Sequence, residues 1–200
     1  MSTRRLGPRS LEGRVVKLEP LRRRHAAALF KATKGLEWGW FLRPLRTKGD
    51  VDERIRDGLR AERRGEAYAF AVKLKEDDRI IGSTSYFGIS PRDKKVEVGS
   101  TWYTTDAQGT NVNPECKLLL LSHAFEDWGA VRVQLTTDAN NLHSQHAIVK
   151  LGAKYEGTLR SDKLRKDGSV RDSMVYSILA SEWPEVKMAL RARIDGYRDS

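Results

Sequence analysis

Two hundred residues, 39 % hydrophobic and 32 % charged, describe one ordinary domain with enough apolar material for a sizeable core. No apolar run approaches the ~18 residues of a membrane span, and a single cysteine, Cys116, excludes an internal disulfide and a Cys-only metal site. The formal net charge is +10, and residues 1–24 hold eight Arg or Lys against Glu12 and Glu19. That balance either favours anionic partners (phosphates, nucleic acid, ribosome) or serves solubility. Met1 to Arg5 carry basic residues with no apolar stretch behind them, so no secretory signal is expected and the cytoplasm is the simplest compartment.

Residues 1–12 read as a loose basic arm, residues 13–184 as one domain, and residues 185–200 as a C-terminal helix packed on it or extending it. Residues 14–19 alternate as a strand, which Pro20 ends. Residues 22–33 predict a helix with Ala26, Leu29 and Phe30 on one face. The aromatic loop 35–44 follows. Trp38, Trp40 and Phe41 are either core plugs or the wall of a substrate pocket. Residues 50–64 predict a second helix on the stripe Val51, Ile55, Leu59. Three strands come next, at 67–75, 79–89 and 95–103. In the third, plain alternation puts Val96, Val98, Ser100 and Trp102 on one face and Glu97, Gly99, Thr101 and Tyr103 on the other. Gly99 inside it signals a bulge or a close backbone approach.

The stretch 108–128 carries the strongest local signal. Gln108, Gly109, Thr110, Asn111 and Val112 form a permissive loop. Asn113 is then a preferred N-cap, Pro114 suits the first helical position, and Glu115 is an acid in the first turn, where the helix dipole favours it. Leu118, Leu121, Phe125 and Trp128 form a stripe, widened by Leu119, Leu120 and Ala124, before Gly129 stops the helix. A permissive loop feeding a helix N-terminus is a ready anion site, because the first backbone N–H groups are unpaired. Cys116 sits in the first turn, where a thiol pKa can fall, but reads more simply as a small packed residue.

A strand at 131–135, a short helix at 142–151 capped by Asn141 and ended by Gly152, and two strands at 154–165 and 170–179 follow. Asp167-Gly168 between the last two is a hairpin signal. A final helix is expected at 181–197. The order β α α β β β α β α β β α predicts a mixed α/β single domain. Its sheet is mostly antiparallel and twisted, of about seven strands flanked by helices, with one β–α–β crossover. His25, His123, His143 and His146 are scattered, with no HExxH or CxxC, so no metal is expected; His143 and His146 read as exposed surface residues. No Gly-Lys-Ser/Thr and no GxSxG elbow occurs, which excludes a triphosphate loop and a hydrolase elbow.

The element order, with Glu97-Val-Gly99, the 108–112 loop, and Asn141-Leu-His-Ser144 before Ile148-Val-Lys-Leu-Gly152, resembles the GCN5-related N-acetyltransferases. Within them it resembles the RimJ/RimL group, which acetylates N-terminal amines of ribosomal proteins. The resemblance covers about residues 11–184 and implies acetyl-CoA as co-substrate. Backbone N–H groups of Gln108, Gly109, Thr110, Asn111, Val112 and Asn113 would take its pyrophosphate. The backbone of Trp102, Tyr103 and Thr104 would pair with its pantetheine, and Asn141 and Ser144 would lie near the thioester. The family pattern has Gly and Gly/Ala where Asn111 and Asn113 stand. Asn is the next most tolerant residue for left-handed backbone, so the loop can survive, with its pyrophosphate contact weakened or reshaped.

An attacking amine must be neutral. An α-amine, pKa ~7.7–8.0, needs modest help, whereas a Lys amine near ~10.4 needs far more. Glu97 matches the family's acidic position as base; the alternative is a solvent-facing partner of Lys95. A backbone N–H near Trp102 would meet the oxyanion. No Tyr lies in 141–151, where many relatives place the acid, so Ser144 is the substitute, with Tyr155 second; Ser144 equally suits capping its own helix. The implied acceptor is the N-terminal α-amine of a peptide or protein such as a ribosomal protein, with a weak rRNA contact through the basic surface and no membrane partner. Monomer and homodimer both stay open. So do two alternatives, a small-molecule or antibiotic amine as acceptor and a CoA-binding or ribosome-associated module without catalysis.

Overall fold

The structure, a computed structural model, describes residues 6–165 and 167–196. Residues 1–5 of the expected basic arm, Lys166, and residues 197–200, on which the expected C-terminal helix ends, lie outside it. Strands β1 (Leu11–Glu12) and β2 (Val16–Pro20) open the chain. A 3-10 turn then leads into α1 (Ala26–Ala32), which α2 (Lys48–Arg64) follows. Strands β3 (Ala67–Leu74), β4 (Ile80–Ser90) and β5 (Lys95–Tyr103) precede α3 (Val112–Ser122), which widens into a π turn (His123–Trp128). The chain finishes with β6 (Arg132–Asp138), α4 (Leu142–Val149), β7 (Lys154–Leu164), β8 (Val170–Leu179) and α5 (Trp183–Gly196). The sheet has eight strands in the order β1-β2-β3-β4-β5-β6-β8-β7, one more than the seven expected. The addition is the two-residue β1, too short to leave a hydropathic pattern. All pairs are antiparallel except β5 with β6, where α3 makes the crossover.

Each face of the sheet has its own core. On one side Val16, Phe70, Tyr86, Val96 and Val98 pack against Cys116, Leu120 and Leu121 of α3, with Leu190 of α5 behind them. On the other, Leu29, Val51 and Ile55 of α1 and α2 cover Ala69, Ala71 and Trp102. Each fully buried aliphatic side chain contributes about 1.5–3 kcal/mol.

The start of α3 differs from the sequence expectation. The helix begins at Val112, with Asn111 as N-cap and no side-chain cap bond, so Asn113 and Pro114 lie inside the first turn. Pro there costs nothing, because N–H groups in the first turn have no helical partner. Glu115 does more than complement the dipole. It is buried, and its carboxylate accepts the backbone N–H groups of Arg14 at 2.9 Å and of Val15 and Val16 at 2.8 Å each. One side chain thus fastens the first long strand to the central helix, about a hundred residues away. Gly13 is required by this contact: a Cβ there would stand 2.5 Å from the Glu115 carboxyl carbon.

Removing that acceptor leaves buried donors unpaired. Glu115→Ala is expected to cost about 3–5 kcal/mol and Glu115→Gln about half of that, read as shifted urea midpoints at unchanged slope. A loss below ~0.5 kcal/mol for Glu115→Ala would mean that water replaces the carboxylate.

Candidate active site

The centre of the sheet comes apart by construction. Strands β5 and β6 pair only at Lys95↔Arg132, Val96↔Val133 and Glu97↔Gln134. Beyond that β5 stays on β4 and β6 stays on β8, out to Tyr103 and Asp138. A bulge in β5 accompanies the parting: Ser85 faces Gly99 and Ser83 faces Trp102, so Thr84 alone opposes Ser100 and Thr101. Ser100 takes φ 49°, a left-handed conformation that costs a non-Gly residue about 1–2 kcal/mol. Of the two readings of Gly99, the bulge falls one residue later, at Ser100. Gly99 supplies the close approach, since a Cβ there would meet the Phe87 ring at 3.1 Å. Gly82 is the tighter case and was missed: its Cβ would overlap the Trp102 carbonyl oxygen.

The bulge also overturns the expected faces of β5. Trp102 leaves Val96 and Val98 and packs on the α1–α2 side, while Tyr103 joins them on the α3 side. Trp102 there meets Trp38 edge-on at 5.5 Å, and Trp38 meets Phe41 at 5.0 Å. The aromatic loop therefore divides: Trp38 is a buried plug against β5, Phe41 is half-buried, and Trp40 is 44 % exposed.

At one end of the parting lies the loop before α3. Gly109 alone takes a positive φ, 77°, while Asn111 is right-handed at φ −69°. Gln108 donates its amide to the Tyr103 carbonyl at 3.1 Å, and the Tyr103 hydroxyl donates to Asn113 Oδ1 at 3.2 Å. The Thr110 hydroxyl donates to the Ala107 carbonyl at 2.8 Å and accepts from Val112 N–H. These side chains turn inward and fix the loop. Among the described residues the backbone N–H groups of Gly109, Thr110, Asn111 and Asn113 make no hydrogen bond. Four such donors beside a helix N-terminus suit a phosphate group. Thr104 spends its N–H on Ile81 at 2.7 Å, which holds the end of β5 on β4.

Glu97 sits where the strands part, half-buried, and accepts from Gln134 Nε2 at 3.2 Å. Burial raises its pKa above the ordinary carboxylate value; Thr136, Lys163, Gln134 and Arg171 offset part of the rise. The pairing with Lys95 is not made, since Lys95 lies 3.4 Å from Asp93 instead. Across the gap Asn141 caps α4, its Oδ1 accepting Ser144 N–H at 3.0 Å. The cap is therefore Asn141 and not the Ser144 hydroxyl, which makes no hydrogen bond among the described residues. Tyr155 is exposed on β7 and bonded to Thr158 at 2.8 Å. Cys116 is fully buried and its thiol is pushed up to about 12, a packed residue as read from the sequence. Among the described residues no group of three His, Cys, Asp or Glu can hold a metal, and His143 and His146 are exposed. No helix there is long and apolar enough to cross a membrane.

Sequence reasoning missed Lys117. It is buried on α3 and donates to Thr101 Oγ1 at 2.8 Å, which in turn bonds Thr84 Oγ1 at 2.8 Å. The chain Lys117–Thr101–Thr84 spans the bulge, and no carboxylate among the described residues pairs with the amine. The available signal was a lysine inside the apolar run Cys116–Leu121.

The acetyltransferase (GNAT) domain family matches residues 16–154, and the chain belongs to it. A GCN5-related N-acetyltransferase from Brucella melitensis superposes with a TM-score of 0.87 at 26 % identity, covering 95 % of this chain and 87 % of that one. A structure from T. thermophilus described as an acetyltransferase is 35 % identical, with a TM-score of 0.83 over 94 % of this chain and 98 % of that one. The Bacillus subtilis protein YdaF, which carries the name of a ribosomal N-acetyltransferase, is 27 % identical over 110 residues. That alignment spans 55 % of this chain and 59 % of YdaF, less than two thirds of its length.

Burial without a counter-ion lowers the Lys117 amine from 10.5 to about 8. Carrying the buried charge at pH 7 then costs about 3 kcal/mol. The unfolded chain keeps the ordinary value, so it binds more protons between those two pH values, and this contribution to stability rises with pH there. Buried Tyr103 and Cys116, whose pKa values are raised, pull the other way in alkali but are common to a variant. Lys117→Met is therefore expected to be more stable than wild type at pH 7, with the gap closing towards pH 10, by urea midpoints. A pH-independent difference would show that Lys117 does not titrate in the fold.

Proposed function

We propose that this protein transfers the acetyl group of acetyl-CoA to a primary amine, the N-terminal α-amine of a peptide or protein. The observation that carries the reading is the parting of β5 from β6, with the open N–H loop at one end and half-buried Glu97 at its base. The loop 108–113 would hold the pyrophosphate, the backbone of Trp102 and Tyr103 the pantetheine, and Asn141 and Ser144 the region of the thioester; Thr104, expected to share the pantetheine, has its N–H on Ile81 and its carbonyl on Ala107. The donors present fit that group: unpaired backbone N–H groups for the phosphates, and a strand edge for the amide-bearing arm.

Acetyl-CoA supplies an activated acyl carbon. Glu97, its pKa raised by burial, takes the proton that the amine must lose, directly or through water. The new C–N bond forms as the C–S bond breaks, and the Ser144 hydroxyl offers the departing sulfur a hydrogen bond. Ribosomal proteins are the first acceptors to test, because YdaF carries that name and the chain is strongly basic. The same basic surface would give a weak contact with rRNA.

Thiol release is expected when the protein is given acetyl-CoA and a panel of N-terminal peptides. No turnover with peptides, polyamines and aminoglycosides alike would sink the proposal. Glu97→Gln should lower kcat by about 10²-fold or more while acetyl-CoA still binds, and should remove the rise of rate with pH that its ionisation produces. An unchanged pH–rate profile would remove Glu97 as the base.

A further inference from the structure

A cavity of about 590 Å³ lies between the loop 42–45, α2 and the end of β7. Four cations line it: Arg43, Arg54, Lys163 and Arg165. Two are already engaged. Arg43 lies 3.1 Å from Asp57, and Arg165 bonds the buried Asp138. Asp138 is shared with Arg171, whose side chain is 3.9 Å away and whose buried Nε has no hydrogen bond among the described residues. Arg54, by contrast, makes no hydrogen bond or ion pair among the described residues, and Lys163 has only its neighbour Asp162 at 3.9 Å.

Among the described residues none of the cavity's acids forms an ion pair with Arg54. Asp50 is spent on the start of α2, accepting from Arg46 and Thr47 N–H. Asp57 is held by Arg43 and Arg60, and Glu53 is exposed at the rim. Burial and the neighbouring Arg43 pull the Arg54 guanidinium below its ordinary pKa, and the nearby Asp57 carboxylate offsets only part of that fall. The cavity borders the parted strands through Arg165, which bonds Asp138 at the end of β6, and the Lys163 charge is felt at Glu97.

We infer that the acceptor carries a carboxylate close to its amine, and that Arg54 and Lys163 in this cavity bind it. The inference rests on the proposed acetyl transfer to an amine. A planar guanidinium and a mobile ammonium facing one cavity match a carboxylate. The carboxylate has two possible sources: an Asp or Glu side chain early in an N-terminal peptide, or the α-carboxylate of a free amino acid.

Peptides differing only by Glu or Gln at the second and third positions, together with free amino acids, separate the cases. The Glu peptides are expected to show KM about tenfold lower than the Gln peptides, with the preference shrinking at high salt. Arg54→Gln and Lys163→Gln should each reduce that ratio severalfold, and Arg54→Lys should keep part of it. Calorimetry of the same Glu and Gln peptides reads the preference without catalysis, and a thermal melt of each variant confirms folding. Turnover confined to free amino acids would assign the carboxylate to that source. Equal KM and equal binding for Glu and Gln peptides, with no use of amino acids, would overturn the inference while leaving acetyl transfer intact. Absent turnover with preferential binding of Glu peptides would overturn the enzymatic reading and keep the carboxylate site.

Discussion

Everything at the candidate site depends on a parallel strand pair that stops after three residues. A parallel ladder at the centre of a sheet normally runs the length of its strands. Here it ends at Glu97↔Gln134, and the cause lies on the far side of β5. The extra residue at Ser100 raises the local twist and bends the strand. Gly82 lets β4 follow the bend, because no side chain fits against the Trp102 carbonyl. The sheet survives because its outer ladders are long: β4 with β5 and β6 with β8 continue past the point of parting. The strain at one left-handed serine, about 1–2 kcal/mol, is small beside the burial of Tyr86, Phe70 and the leucines of α3.

The helix that follows is tied at its start to two distant places. Glu115 holds Arg14 to Val16 at the start of β2, and Tyr103 holds Asn113. This resolves the two asparagines that depart from the family's small-residue pattern. Asn111 is not required to be left-handed, because Gly109 takes the positive φ. The side chain of Asn113 accepts the Tyr103 hydroxyl, an acceptor a glycine would not offer. Neither residue needs to contribute a side chain to an anion, so the loop can present backbone N–H groups while its side chains face the protein.

Most of the fold was legible because hydropathic periods of two and 3.6 residues write themselves into the sequence. The β–α–β crossover followed from element order, and the motifs at Glu97, the 108–112 loop and Asn141–Ser144 pointed to a candidate site through a resemblance. What stayed hidden falls into two physical kinds. The first is a local irregularity that shifts a period: the bulge at Ser100 reversed the expected face of Trp102, and the helix began before the asparagine–proline signal. The second is contact between residues far apart in sequence. Glu115 with Arg14, Val15 and Val16, Lys117 with Thr101, and Arg54 beside Lys163 each join segments that only the finished fold brings together.

The electrostatics around Glu97 bear on which amine suits this cleft. Burial raises its pKa, while Thr136, Lys163, Gln134 and Arg171 restrain the rise, so the carboxylate is a stronger base than an exposed one. The same cations make the surroundings unfavourable for an ammonium. An α-amine near ~7.7–8.0 surrenders its proton at modest cost; a Lys amine near ~10.4 would demand about 3 kcal/mol more. A carboxylate on the acceptor would offset the repulsion at Arg54 and Lys163 without raising that proton-transfer cost, provided it sits in the cavity and not against the amine itself. Charge selection and proton transfer then draw on separate groups: cations on α2 and β7 would choose the acceptor, and a carboxylate at the base of the parted strands would activate it.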